Sequence, residues 1–166
     1  MIKLLVLDVD GCLTDGKIIY DGNGVESKNF NVKDGLGITS WIKLGNEVAI
    51  ITGRESNIVS KRAQELGIIH LFQGVKNKLE VLQKLAESLD VKPYEIAAIG
   101  DDFNDYGMFR YVGRSFTPND ATEDIKSFVD VVLHRKGGDG AVREMIDMLI
   151  EQNDQKEQFC NLWIKE

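Results

Sequence analysis

Two aspartates one residue apart, Asp8 and Asp10, end the apolar run Leu4-Leu5-Val6-Leu7 and are followed at once by Gly11. Two carboxylates held this close repel each other unless a cation or a shared proton intervenes. The pattern recurs twice. Val48-Ala49-Ile50-Ile51 runs into Thr52, and Ile96-Ala97-Ala98-Ile99-Gly100 runs into Asp101 and Asp102, with Asp105 close behind. Lys78 opens a further helical segment. Acids, a hydroxyl and a lysine at one sheet edge describe a site for a phosphate and a hard divalent cation. Oxygen ligands suit Mg²⁺, a lysine offsets phosphate charge, and a threonine hydroxyl donates to a phosphate oxygen. Asp8 and Asp10 also have a plainer reading as residues of a capped turn, given the turn preferences of Asp and Gly. Only the other strand ends decide between the two.

The elements that must position these residues follow from the apolar patterning. Leu4–Leu7 and Ile96–Ile99 do not alternate apolar with polar, so they read as strands buried on both faces. Asp34–Leu44 carries Leu36, Ile38, Trp41, Ile42 and Leu44 at helical spacing. Ser56–Leu66 reads as a helix stopped by Gly67, and Asn77–Leu89 as an amphipathic helix. Short strands are expected over 68–72, 114–117 and 129–133, and helices over 103–111, 121–128 and 140–151. Strands alternating with helices predict an α/β fold, a doubly wound, Rossmann-like parallel sheet covered on both faces. In such sheets the ligand lies at the carboxyl ends of the strands, which is where all the polar residues above fall. Between Asp15 and Asp34, two short β-type runs flank Asp21-Gly22-Asn23-Gly24, a strong hairpin signal.

At 166 residues, 43% hydrophobic and 28% charged, the composition suits one domain with a sizeable core. The reading is one domain over residues 1–152, with a hairpin at about 17–31, and a tail over 153–166. That tail is polar until Phe159, Leu162, Trp163 and Ile164, and either frays or docks. The net charge of −7, with no Lys/Arg block, argues against nucleic acid or an anionic membrane as the main partner. No apolar run is long enough to span a bilayer, and the early strand leaves no room for a signal peptide. Cys12 and Cys160 lack metal-ligand spacing and are expected to stay reduced, in a cytoplasmic protein.

Four segments taken together resemble the motifs of the haloacid dehalogenase-like superfamily. Asp8-Val9-Asp10-Gly11-Cys12-Leu13-Thr14-Asp15 is similar to its first motif and Ile50-Ile51-Thr52-Gly53-Arg54 to its second. Lys78 stands for its third, and Gly100-Asp101-Asp102-Phe103-Asn104-Asp105 for its fourth. Each alone is a weak signal, and the four in order are a strong one. The resemblance implies a phosphomonoester hydrolase in which Asp8 takes the phosphoryl group as an aspartyl phosphate and Asp10 is general acid, then base. It implies that Thr52 and Lys78 hold the phosphoryl group. Mg²⁺ would be bound by Asp8, the Asp10 carbonyl and Asp101, with Asp102 and Asp105 in or next to its shell. In many relatives a cap domain interrupts the chain. Here the intervals after Asp15 and between Thr52 and Lys78 hold only a hairpin, a helix and a strand, so no cap domain is expected. A neighbouring subunit would then have to cover the site.

The hairpin with Lys28–Gly35, the Thr52–Ser56 run, Gln73–Lys78 and Gly137–Glu144 resemble more closely the 3-deoxy-D-manno-octulosonate 8-phosphate phosphatases. These serve lipopolysaccharide precursor synthesis and form homotetramers whose neighbours complete each site. A phosphatase for a nine-carbon, sialic-acid-like 9-phosphate is the near alternative. Arg54 favours the eight-carbon substrate, because the nine-carbon relatives tend to carry an acid there. An arginine can also pair with a substrate carboxylate in fork geometry, or simply bridge to a nearby acid. Arg62 and Arg143 are further substrate-binding candidates. Asn77 departs from the aspartate usual before the third-motif lysine and leaves Lys76 as a minor rival of Lys78. A receiver-type phospho-aspartate module takes its acids from different strands, whereas here Asp8 and Asp10 share one. A non-catalytic regulatory module would not need every motif intact.

Overall fold

Six parallel strands form the centre of the molecule, in the order β5-β4-β1-β6-β7-β8. The computed structural model describes residues 1–164. The strands of this sheet are β1 (Leu4–Leu7), β4 (Glu47–Ile51), β5 (His70–Phe72), β6 (Ile96–Ile99), β7 (Arg114–Thr117) and β8 (Val131–Val132). Between β1 and β4 lie β2 (Ile19–Tyr20) and β3 (Glu26–Ser27), which pair only with each other, antiparallel. The helices are α1 (Val32–Lys43), α2 (Asn57–Leu66), α3 (Lys78–Ser88), α4 (Tyr106–Phe109), α5 (Glu123–Lys126), α6 (Ala141–Gln152) and α7 (Lys156–Asn161). This is the doubly wound α/β arrangement that the alternation of elements predicts. Neither the hairpin nor the 52–78 interval adds a separate lid.

Successive side chains of β1 enter opposite layers, as the period of two requires. Leu5 and Leu7 join Ile38, Trp41, Met145 and Ile146 on one face. Leu4 and Val6 join Leu82, Leu85 and Met108 on the other. A strand apolar at every position therefore serves two cores, which is why the sequence there does not alternate.

Helix starts follow local capping chemistry. Asn31, Ser56 and Asn77 accept from the backbone N–H groups of Lys33, Ile58 and Glu80 respectively, satisfying donors that a helix start leaves free. Asn77, out of pattern for the third motif, thus has a clear local job. Other elements are shorter than their patterns imply. The 103–111 segment is a tight turn over Phe103–Asp105 followed by one turn of helix, and the 121–128 segment is helical only over Glu123–Lys126. Leu36, counted with the packed face of α1, is exposed. The face that packs is instead Gly37, Ile38 and Trp41. A Cβ on Gly37 would lie 3.0 Å from the Arg143 side chain and 3.2 Å from that of Ile146, so α1 and α6 pack tightly there.

The tail docks on the body. Asn153 accepts from the Ile2 N–H and donates to the Ile2 carbonyl, at 2.9 and 2.8 Å. Phe159 enters the core that α1 and α6 share, and the Trp163 indole N–H donates to Ser40 Oγ. Lys165 and Glu166 lie outside the described residues.

Candidate active site

The strand order reverses direction at β1: the chain builds β4 and β5 to one side, then returns to place β6 on the other. Leu7 is level with Ile50 of β4 and Ile99 of β6. The residues just beyond, Asp8, Thr52 and Asp101, therefore emerge side by side at the topological switch point, where such sheets bind ligands. The Asp8 N–H donates to Ile99 O at 3.1 Å, continuing the ladder one residue past the strand. After Asp8 the chain makes an irregular turn through Gly11, at φ +90°. A Cβ on Gly11 would overlap the Asp101 carboxylate, so only glycine lets that carboxylate reach the turn. The buried Thr14 hydroxyl fixes the turn, accepting from the Gly11 and Gly16 N–H groups and donating to Val9 O.

Lys78, first residue of α3, turns its ammonium into the site. Its Nζ donates to Asp8 Oδ1 at 2.7 Å and to Asp105 Oδ1 at 2.6 Å. All three residues are buried. Asp105 is held from its other side, Oδ2 accepting from the N–H groups of Asp101 and Asp102 at 3.0 and 3.4 Å. Gly100 makes room, because a Cβ there would overlap the Asp105 side chain. Asp105 thus orients Lys78 and the Asp101 backbone together.

Burial and a surplus of negative charge govern the electrostatics. Burial pushes the Asp8 carboxyl up to about 7, and Asp105 adds to this, against the opposing pull of Lys78. Asp101 is likewise pushed up to about 7 by burial, then by Asp105 and Asp102. Burial alone would lower the Lys78 pKa, but Asp8 and Asp105 more than reverse it, so the ammonium stays charged. One lysine cannot neutralise three carboxylates, which leaves a place for further positive charge. Oxygens of Asp8 and Asp101 and the Cys12 sulfur lie within 4.8 Å of one another. Mg²⁺ takes oxygen ligands, so the donor set that fits it is the two carboxylates. Cys12 is fully buried in the core beside them.

Thr52 is buried at the same edge, with its backbone fixed on both sides by Phe72 O and Val75 N–H. Its hydroxyl has no hydrogen-bond partner among the described residues and is available to a ligand. Asp102 is exposed and caps the following turn, accepting from the Phe103 N–H. Asp10 stands at the mouth, where Lys28 of the hairpin donates to its Oδ1 at 2.5 Å. Arg54 reaches Glu26 Oε1 at 2.7 Å and Tyr20 OH at 3.3 Å. The structure thus gathers Asp8, Asp10, Thr52, Lys78, Asp101 and Asp105, with Arg54 linked to them through the hairpin. It does not bring Arg62 or Arg143 into contact with that group. Arg62 reaches Glu65 and lies over the Phe30 ring, while Arg143 holds Asp147 and lies over Phe159.

Sequence reasoning left out Lys28 and Glu26. The available signal was their spacing: charged residues at i and i+2 just after a hairpin turn share one face.

Fold and site together define a class, and comparison with known proteins agrees. Residues 65–146 match the model of the haloacid dehalogenase-like hydrolases, and the chain belongs to that family. Its relatives are more particular. It is 46% identical over 149 residues to the 3-deoxy-D-manno-octulosonate 8-phosphate phosphatase of Salmonella typhi, covering 90% of this chain and 79% of that one. The crystal structure of the phosphatase of that name from Yersinia pestis superposes with a TM-score of 0.92 at 42% identity, over 94% of this chain and 84% of that one. The Moraxella catarrhalis phosphatase, solved in complex with magnesium ion, phosphate ion and KDO, gives a TM-score of 0.92 at 40% identity, over 97% and 93%. Among the described residues, no helix is long and apolar enough to cross a membrane.

Proposed function

We propose that this chain is a Mg²⁺-dependent phosphomonoester hydrolase that releases phosphate from 3-deoxy-D-manno-octulosonate 8-phosphate. The observation that carries the mechanism is Asp8 clamped by Lys78 at the switch point, with Asp10 two residues on at the mouth. Asp8 Oδ attacks phosphorus while the bond to the sugar oxygen breaks, giving an aspartyl phosphate. Asp10 gives its proton to the departing alkoxide, then takes one from the water that cleaves the aspartyl phosphate. Lys78 and the Thr52 hydroxyl hold the phosphoryl oxygens, and Asp105 keeps Lys78 aimed. Asp8, the Asp10 carbonyl and Asp101 would hold the Mg²⁺, and Asp102 stands beside them. When bound, the ion offsets the negative charge of the nucleophile and the transferring group.

Arg54 is the candidate partner for the substrate carboxylate. Arg62 and Arg143, paired elsewhere, support that role less. Ile18, Tyr20 and Val25 are exposed on the hairpin, which favours a homotetramer in which neighbours cover the open site. Cys12 and Cys160 are both free, as suits a cytoplasmic enzyme.

The test is kcat/KM for the eight-carbon 8-phosphate against a nine-carbon keto sugar acid 9-phosphate. The eight-carbon ester is expected to win. A nine-carbon preference would overturn the substrate assignment and leave the chemistry standing. Asp8→Asn is expected to lose at least about 1,000-fold in kcat, since removing a nucleophile typically costs that or more. A variant turning over at the wild-type rate would sink the mechanism.

A further inference from the structure

Lys28 is charged, its side chain is only 1% exposed, and it lies outside all four strand-end and helix-start segments that carry the chemistry. Burying an ammonium is costly unless it is paired. Its two partners are Asp10 Oδ1 at 2.5 Å and Glu26 Oε1 at 3.4 Å. That same Glu26 oxygen takes Arg54 Nη2 at 2.7 Å. Tyr20 and Glu26 face each other across the hairpin, and Lys28 follows Glu26 by two, so the three share a face. The result is a line of alternating charge, Asp10, Lys28, Glu26 and Arg54, running from the mouth of the site along the hairpin.

We propose that Lys28 is a positioning residue for Asp10, and that Glu26 steadies Lys28 while tying it to Arg54. By gripping Oδ1, Lys28 fixes the rotation of the Asp10 carboxyl and leaves Oδ2 to face the ester oxygen. A general acid acts only within hydrogen-bond reach of the atom it protonates, so a carboxyl free to turn spends little time in place. The step served is transfer of the Asp10 proton to the ester oxygen as the phosphorus–oxygen bond breaks, leaving the Asp10 carboxylate and a free alcohol. This inference rests on the roles given above to Asp8 and Asp10.

Leaving-group dependence separates positioning from a general structural role. An alkoxide departs with a proton and a nitrophenolate departs without one, and kcat/KM reports binding and phosphoryl transfer without the later hydrolysis of the aspartyl phosphate. Lys28→Met is expected to lower kcat/KM on the sugar phosphate by about 10- to 100-fold, part of the typical general-acid contribution. On p-nitrophenyl phosphate it should lose much less, with KM for the sugar phosphate moving less than kcat. Lys28→Arg should recover part of the loss, and Glu26→Gln should show the same pattern more weakly. In an Asp10→Asn background, Lys28→Met should add little, because it acts through Asp10. Equal losses on both esters, or full additivity with Asp10→Asn, would overturn the proposal. If Lys28→Met fails to fold, the Lys28→Arg and Glu26→Gln comparison on the two esters decides the matter alone. An Asp10→Asn enzyme of full activity would instead overturn the underlying mechanism.

Discussion

The strand-end cluster and the hairpin line hold the same kinds of charge in opposite ways. Around Lys78 the charges are buried and come from the ends of β1 and β6 and the start of α3, all fixed by parallel ladders and two cores. Along the hairpin Glu26 sits on a strand of two residues, Lys28 lies just past its end, and Arg54 at the far end is 38% exposed. A two-stranded ribbon of that size has little stability of its own. Asp8, Lys78 and Asp105 are thus fixed by the fold itself. The line from Asp10 through Lys28 and Glu26 to Arg54 is held by ion pairs.

Removing one cation from each region tests that contrast. Lys78→Met removes the cation that contacts both Asp8 and Asp105. Breaking a buried pair from one side typically costs about 3 to 5 kcal/mol, and that loss should appear in denaturant unfolding at pH 8. Activity should vanish with it. Arg54→Met cuts a partly exposed pair, and such pairs are worth no more than about 1 kcal/mol. Equal losses of stability for the two variants would erase the distinction.

The same contrast explains what could be read from the sequence. Asp8, Thr52 and Asp101 each follow an apolar run directly, so their shared edge follows from the fold class alone. Lys78 needed the motif as well, because a lysine opening a helix is ordinarily solvated. The double hold on Asp105, by Lys78 and by two backbone N–H groups, depends on a backbone path through Gly100 that periodicity does not describe. For Lys28 the hairpin was legible but its facing was not. Two-residue strands carry too little alternation to show which side meets the body, and the ion pairs form only after the hairpin folds back. Leu36 was misplaced for a related reason: α1 packs through glycines, which an apolar count passes over.

A third buried acid, Asp34, shows what happens where no lysine is supplied. It lies where the hairpin leads into α1. Its Oδ1 accepts from the Arg143 N–H at 2.8 Å, and its buried Oδ2 has no hydrogen-bond partner. Burial pushes its pKa up to about 6, with the Arg143 N–H and the charge of Arg62 opposing. The folded state therefore binds a proton more tightly than the unfolded chain, whose carboxyl stays near 3.8. Stability from this group is full below the unfolded value and is lost as pH rises towards 6. The difference amounts to about 3 kcal/mol at most, at about 1.4 kcal/mol per pH unit. Asp34→Asn keeps an acceptor for Arg143 and removes the charge. Its stability relative to wild type should improve between pH 4 and pH 8, measured by denaturant unfolding at both. A difference independent of pH would mean that Asp34 is not held as described. Taking the variant against wild type cancels the titration of Asp8 and Asp101.

The smallest effect belongs to the tail, which meets the opposite edge of the sheet from the site. α1 begins at the carboxyl edge, after the hairpin, and ends where β4 starts, so Ser40 and Lys43 lie towards the amino edge, as does Ile2 before β1. Trp163 touches this edge: its N–H donates to Ser40 Oγ at 2.9 Å, and Lys43 Nζ lies 4.3 Å from its ring centroid. It remains 46% exposed, so little area is lost when it is cut back. Trp163→Ala should cost about 1 kcal/mol, the size of one hydrogen bond with a weak cation–π contact. Trp163→Phe should recover the ring's share and lose the hydrogen bond's. Phosphatase kcat/KM should stay at the wild-type value in both, because Trp163 meets Ser40 and Lys43 at the edge opposite the strand-end cluster. A fall in activity larger than the fall in stability would show that the tail reaches the strand-end cluster after all, and that the two edges are coupled.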